Sequence, residues 1–323
     1  QASADLTLGT VRHTDTLELL YKLAERDGEM GTLADLMEKS AGKRPKDVRL
    51  KNLTVGAYAH NREWDAIIQR SRQWSEADAG RFYPHIMAQA AVAYAELGQK
   101  PKALDALKQQ DLGNTPNMLS IRVRVLNILG EHTDALKVCD DGLANDKLSA
   151  SEQRTLLTAK ATTLNYLRKY AEAESIWREL LDANPDDTTI LNNLGYELGE
   201  QNRKLEEAET LMRRAVELDR WERARAGEPD AENGGHLDSL AWVLFRRGKL
   251  KEARELLEKA VVSSDAAGDG IVWDHLGDVA FRQGEKKRAA EAWKKAAELY
   301  RGSHTGREKG RLDEVKRKVQ LAE

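Results

Sequence analysis

The sequence predicts an all-α chain whose helical hairpins stack into an open solenoid, and three observations carry that prediction. First, one skeleton of residues recurs. Leu240-Ala241-Trp242 is followed by Gly248, Ala253, Leu257 and Ala260, and Leu276-Gly277-Asp278 by Gly284, Ala289, Trp293 and Ala296, with offsets of 8, 13, 17 and 20 from the leading Leu in both. A repeat of this period is one supersecondary unit, stacked on its neighbours. Second, Ala, Leu, Glu, Lys and Arg dominate, all good helix formers, and few stretches alternate as a half-buried strand would. Third, only 6 prolines interrupt 323 residues, a length that exceeds one ordinary compact core but suits an array in which each unit packs only on the next.

From the N-terminus, residues 1–80 show the pattern weakly. Leu17 to Leu23 with Leu33 to Met37 suggests one helix pair, and Leu50 to Tyr58 with Trp64 to Trp74 another. These are expected to be degenerate repeats. Six clear copies fill 81–300, near 84–115, 116–147, 154–185, 188–219, 234–265 and 270–300. The first has Ala91, Tyr94, Gly98, Ala103 and Leu107; the second Leu126, Gly130, Ala135 and Cys139; the third Ala161, Leu164, Ala173 and Trp177. The fourth has Leu194-Gly195, Ala208, Met212 and Ala215, with one extra residue in its turn. Ala103, Ala135, Ala173, Ala208, Ala253 and Ala289 hold one equivalent position at spacings of 32, 38, 35, 45 and 36, so linkers vary while helices keep phase. A small residue there lets two helices approach, and a large residue opposite fills the space.

Local signals agree. Thr115-Pro116 reads as an N-cap with Pro in the first turn. Ser149 and Glu152 have capping-box spacing, and Asn184-Pro185-Asp186-Asp187 reads as a stop and a new start. Residues 220–235 form an insertion longer than an ordinary linker, expected as a surface loop, with Trp221 as its one residue of functional interest. In 301–323, Arg307 to Leu321 forms an amphipathic segment with Leu312, Val315 and Val319, expected to cap the open end of the array. Its basic run Lys316-Arg317-Lys318 is expected on a solvated face.

The skeleton resembles the tetratricopeptide repeat, a 34-residue helix-turn-helix unit, and the six copies carry that resemblance over 82–300. The resemblance implies a right-handed α-solenoid of about eight helix pairs plus the C-terminal capping helix. It also implies that first helices line a concave groove through fixed positions of each copy. Carried over, those positions are Arg124 and Asn127; Thr162 and Asn165; Asn192, Asn193 and Tyr196; Asp238, Ser239, Trp242, Phe245 and Arg246; and Asp274, His275, Asp278, Phe281 and Arg282. Tyr196, Trp242, Phe245 and Phe281 would then form an aromatic stripe suited to an interface. Asn192 and Asn193 would hydrogen-bond an extended peptide backbone. Asp238, Asp274 and Asp278 would make one end acidic, so the expected ligand is apolar with some positive charge. The competing reading packs Phe245 and Phe281 between repeats and pairs Asp278 with an arginine of a neighbouring helix. A subset of the family grips a C-terminal carboxylate with Lys, Arg and Asn in the groove; this chain lacks the lysines, so that clamp is not expected.

The sequence argues against other classes. A net charge of −3 does not suit a duplex nucleic-acid binder. The single Cys139 allows no internal disulfide and is expected in the core. No apolar run approaches the ~20 residues that span a bilayer. The 7 histidines are isolated, and no phosphate loop, dinucleotide fingerprint or zinc-protease motif occurs. Asp265 to Gly270 superficially resembles a calcium loop but lacks its later ligands. Asp274, His275 and Asp278 lie close enough to gather a metal, though an ion-paired face is the expected reading. No cofactor and no catalytic residue is expected.

The chain begins Gln1-Ala2-Ser3, without initiator Met or signal peptide, as a processed product or an excised piece would. Its Leu237 to Leu240 and Trp273 to Asp278 segments look like those of bacterial tetratricopeptide proteins, often envelope-associated. A periplasmic or envelope location is thus favoured over a cytoplasmic one. The expected function is a non-catalytic scaffold that binds a protein or peptide segment in the groove. The alternatives are a self-assembling repeat protein and a regulatory arm of a larger protein.

Overall fold

A computed structural model describes Leu20, Ala24 and residues 29–77, 84–108, 113–225, 232–263, 266–301 and 306–323. Among these it contains sixteen helices and no strand. Helix α1 (Met30–Lys43) precedes the hairpins. Seven hairpins follow: α2 (Val48–His60) with α3 (Trp64–Ala77), α4 (Pro84–Glu96) with α5 (Lys100–Leu107), α6 (Pro116–Ile128) with α7 (His132–Leu143), α8 (Ala150–Tyr166) with α9 (Tyr170–Ala183), α10 (Thr188–Glu200) with α11 (Leu205–Arg225), α12 (Gly234–Arg246) with α13 (Leu250–Ala260), and α14 (Gly270–Arg282) with α15 (Lys286–Arg301). Helix α16 (Gly306–Ala322) closes the end. Of the expected first hairpin, Leu17 to Leu23 lies outside the described residues apart from Leu20.

Each hairpin turns the same way. The residue at the turn has positive φ in all seven: Arg62, Gly98, Gly130, Arg168, Asn202, Gly248 and Gly284. The next amide donates back to a carbonyl five residues earlier at 2.8–2.9 Å, from Glu63 to Tyr58 through Glu285 to Ala280. That bond satisfies a carbonyl the helix end would leave unpaired. Where the fourth copy carries its extra residue, Lys204 also takes positive φ. The α2/α3 hairpin shares this turn although its sequence pattern is weak. Arg62 replaces the turn glycine; Ile67, fully buried, stands where the six later copies carry alanine, and Val55, also fully buried, where five of the six carry alanine or glycine.

First helices start on side-chain caps. Asp47, Thr115, Asp187, Asn233 and Asp269 each accept an amide of the first turn, and Ser149 with Glu152 forms the expected capping box. The six equivalent alanines are all fully buried at helix crossings. At the sixth crossing Gly277 lies so close to Trp293 that a Cβ would stand 2.3 Å from its ring. Cys139 is buried in the core, as expected, and burial pushes its thiol up to about 12.

On second helices, carboxylates are clamped across repeats. Glu174 accepts from Arg178 and Lys204, and Glu209 from Arg213, Arg247 and Lys249. Burial pushes the Glu209 carboxyl up, but its three cationic partners outweigh that and bring it down to about 2.

Two expectations at the linkers change. Residues 220–225 continue α11 as helix rather than looping out; residues 226–231 lie outside the described set. Arg223 bonds Asp219 one turn back, which supports the extension, and the Arg225 guanidinium sits 4.5 Å over the exposed Trp221 ring. In α16, Val315 is fully buried against Trp293, Ala296 and Tyr300, so this helix covers the last hairpin as expected. Its basic run is not uniformly solvated: Lys316 and Arg317 are exposed, but Lys318 turns inward.

Candidate functional site

The first helices stand side by side, and polar links join several of them to the next. Asn127 on α6 donates its amide to Thr163 Oγ1 on α8 at 2.9 Å. Asn165 on α8 donates to Glu197 Oε2 on α10 at 2.7 Å, and Trp177 Nε1 reaches the same oxygen at 2.8 Å. Asp238 Oδ1 on α12 lies 2.8 Å from His275 Nδ1 on α14. From α16, Lys318 Nζ donates to Asp274 Oδ1 at 2.8 Å and to both oxygens of Asp278 at 2.7 and 2.9 Å. The capping helix thus makes toward α14 the kind of link that α8, α10 and α14 make toward their predecessors.

The acidic end foreseen for a cationic ligand is therefore filled by the chain's own lysine. Asp238, Ser239, Asp274 and His275 are buried, and Asp278 pairs with Lys318 rather than with an arginine. Burial alone would push the His275 imidazole down, but Asp238, with Asp274 and Asp278 behind it, raises it above its ordinary value. Burial and the nearby Asp274 raise Asp278 despite Lys318. Among the described residues no cluster of His, Cys, Asp and Glu has the makings of a metal site.

The expected aromatic stripe divides. Trp242 stacks between Phe245 at 5.1 Å and His275 at 4.2 Å, with the Arg246 guanidinium 5.6 Å from its ring. The Arg282 guanidinium sits 5.2 Å over Phe245. Phe281 leans on Trp293 of its own hairpin at 5.4 Å and stays exposed. Tyr196 packs against the main core. Asn192 and Asn193 are half-buried on α10, and Asn192 Oδ1 has no hydrogen-bond partner among the described residues.

The open part of the face lies further toward the N-terminus. A cavity of about 850 Å³ is lined by Arg124 and Asn127 of α6 and by Thr162 and Asn165 of α8, four residues expected in the groove. It also takes in Arg62, Glu96, His132, Tyr166, Arg168 and Tyr170, and from the far end of the chain Ile271 and Arg311. The His132 and Tyr166 rings stack at 4.9 Å with planes 4° apart, and burial lowers the His132 imidazole. Arg124 reaches Glu96 only at 3.9 Å. Tyr166 occupies a repeat position that faces the groove, and that signal was sufficient to find it. Arg62 and Arg168 sit at turns and Arg311 on the cap, where no groove position points.

A family model described as "Tetratricopeptide repeat" matches residues 158–231 and 239–304. Those residues, a little under half of the chain, are tetratricopeptide repeats, and the recurring turn and the buried alanine series carry the same pattern toward the N-terminus. The chain is 26% identical over 160 residues to the TPR repeat-containing protein PA4667 of Pseudomonas aeruginosa, a match covering 49% of this chain and 24% of that protein, so the chain spans about a quarter of that relative. Its fold is similar to yeast Tom70, with a TM-score of 0.59 at 18% identity over 94% of this chain and 60% of that one. TTC0263, a thermophilic TPR protein from Thermus thermophilus, matches with a TM-score of 0.49 at 16% identity, over 62% of this chain and 98% of that one. A tetratricopeptide array is a protein–protein interaction scaffold in type. No described helix of this one is long and apolar enough to cross a membrane.

Proposed function

We infer that the protein is a non-catalytic scaffold that holds a segment of a partner protein in its concave groove, chiefly across the second and third clear copies. The observation that carries this reading is the cavity of about 850 Å³ lined by Asn127, Thr162, Asn165 and Tyr166 on consecutive first helices. Asn165 Oδ1 is buried without a hydrogen-bond partner among the described residues, as is Asn192 Oδ1 one repeat on. Such acceptors suit the amides of an extended segment, which alternate along a strand. Aromatic rings beside them supply the contact area typical of interface anchors.

The test is a photo-crosslinking residue placed at Thr162, in the groove, or at Glu179, exposed on the second helix α9. Partners in a lysate of the source cells should be trapped from position 162 and not from 179. Trapping mainly from 179 would move the binding surface to the outer face and end this reading.

A further inference from the structure

Four arginines line the cavity against one carboxylate, Glu96. This contrasts with the chain as a whole, which carries a net −3. The positive charge is gathered from unrelated parts of the sequence: Arg62 from the α2/α3 turn, Arg124 from α6, Arg168 from the α8/α9 turn and Arg311 from α16. Two of them stand on strained backbone. Arg62 has φ 58° and Arg168 φ 59°, at the turn position where Gly98, Gly130, Gly248 and Gly284 stand in other hairpins. A side chain there carries steric strain that glycine avoids. The fold does not require arginine at this position, since glycine makes the same turn four times over. Both turns that carry arginine at this position open onto the cavity.

Resting on the groove reading above, we propose that the groove's ligand is an acidic segment of a partner protein, its carboxylates held by Arg124 and Arg168 with Arg62 and Arg311 at the margins. Arginine forks suit carboxylates, because two parallel N–H bonds match two oxygens. Arg124 is more than half exposed, and the Glu96 carboxylate stands 3.9 Å from it. Arg168 is exposed at its turn. The Tyr166 ring, stacked on His132, and the Tyr170 ring line the same cavity, so the matched segment combines acidic with apolar or aromatic residues. Asn165 Oδ1 favours a peptide over a polynucleotide, since this buried acceptor, without a hydrogen-bond partner among the described residues, suits a backbone amide and would repel a phosphate oxygen. The acidic notch at Asp274 and Asp278, by contrast, is closed by Lys318, so a cationic segment finds no matching site there.

The experiment uses the full chain and two short fluorescein-labelled peptides, one alternating glutamate with leucine and one alternating lysine with leucine, read by anisotropy at about 0.15 M salt, where distant surface charges are screened. The glutamate peptide should bind and the lysine peptide should not. Arg124→Glu combined with Arg168→Glu should weaken the glutamate peptide roughly tenfold or more, the scale of losing charge-assisted contacts. Lys251→Glu with Lys287→Glu, the same charge change on exposed residues outside the cavity, should leave it within about twofold. Arg168→Gly removes the side chain while relieving the turn, so it should weaken binding without loss of fold. Equal weakening by both charge-reversal pairs, preference for the lysine peptide, or tighter binding of oligouridine than of the glutamate peptide would each overturn the proposal. If the glutamate peptide fails while crosslinks still map to position 162, only the ligand's charge is wrong. Crosslinks mapping to 179 would remove the groove itself.

Discussion

The two ends of the concave face are built from one repeat, yet they differ in what covers them. At α12 and α14 the groove positions are spent on the protein itself: His275 is sandwiched between Asp238 and Trp242, and Asp274 and Asp278 hold Lys318 of the capping helix. At α6 and α8 the links between helices use the Nδ2 groups of Asn127 and Asn165, Asn165 Oδ1 keeps no partner among the described residues, and a cavity stays open beside them. A position in the repeat therefore fixes where a side chain points but not whether it is free. Beside the α14/α15 hairpin, α16 supplies the next layer and consumes polar groups that other repeats would present to a ligand.

The heaviest blow to the closed end is Gly277→Leu, whose Cβ alone would meet Trp293 at 2.3 Å. It should cost about 3 kcal/mol, the upper part of the overpacking range, read as an earlier thermal transition by circular dichroism. Peptide binding at α6 and α8 should survive, since repeats transmit packing mainly to neighbours. An unchanged melting temperature would refute the assigned register. Next, Lys318→Ala leaves Asp274 and Asp278 facing each other partly buried. A loss of about 2 kcal/mol is expected in chemical denaturation, together with faster amide exchange in α16. Unaltered exchange there would show that apolar contacts such as Val315 suffice to hold the cap.

The His275 imidazole extends the contrast through pH. Its folded pKa lies above the unfolded value, so its contribution to stability is fully present below about pH 6.5 and is lost as pH rises through the raised value. Relative to His275→Gln, the native chain should lose stability on the alkaline side. Parallel stability–pH curves would show that the imidazole is not charged in the fold. His132, lowered by burial in the open cavity, should titrate at the opposite, acidic side. The smallest effect is expected from Arg168→Gly, a gain of about 0.5–1 kcal/mol from relief of the positive-φ turn, offset in part by glycine's unfolded-state freedom. A loss of stability would mean that the arginine supports the turn rather than the groove.

Particular residues show why the fold was legible and the site only in part. The alanines from Ala103 to Ala289 mark helix crossings because only a small side chain fits there, and that constraint recurs at each hairpin. Caps at Thr115 and Ser149 were readable for the same reason, being local hydrogen bonds between residues three apart. Asn127 and Asn165 line the cavity because the repeat fixes their direction. Lys318, Arg62 and Arg311 could not be read in that way, because each acts on residues that chain topology brings near and no repeat spacing connects.

The hairpins, their crossings and the face that first helices present were thus settled along the chain, since all of these follow from short-range periodicity and side-chain size. Which stretch of that face stays open was settled in three dimensions. That depends on where the final helix lands and on arginines gathered from four separate segments, and long-range electrostatics and burial leave no fixed interval in the chain by which they can be read.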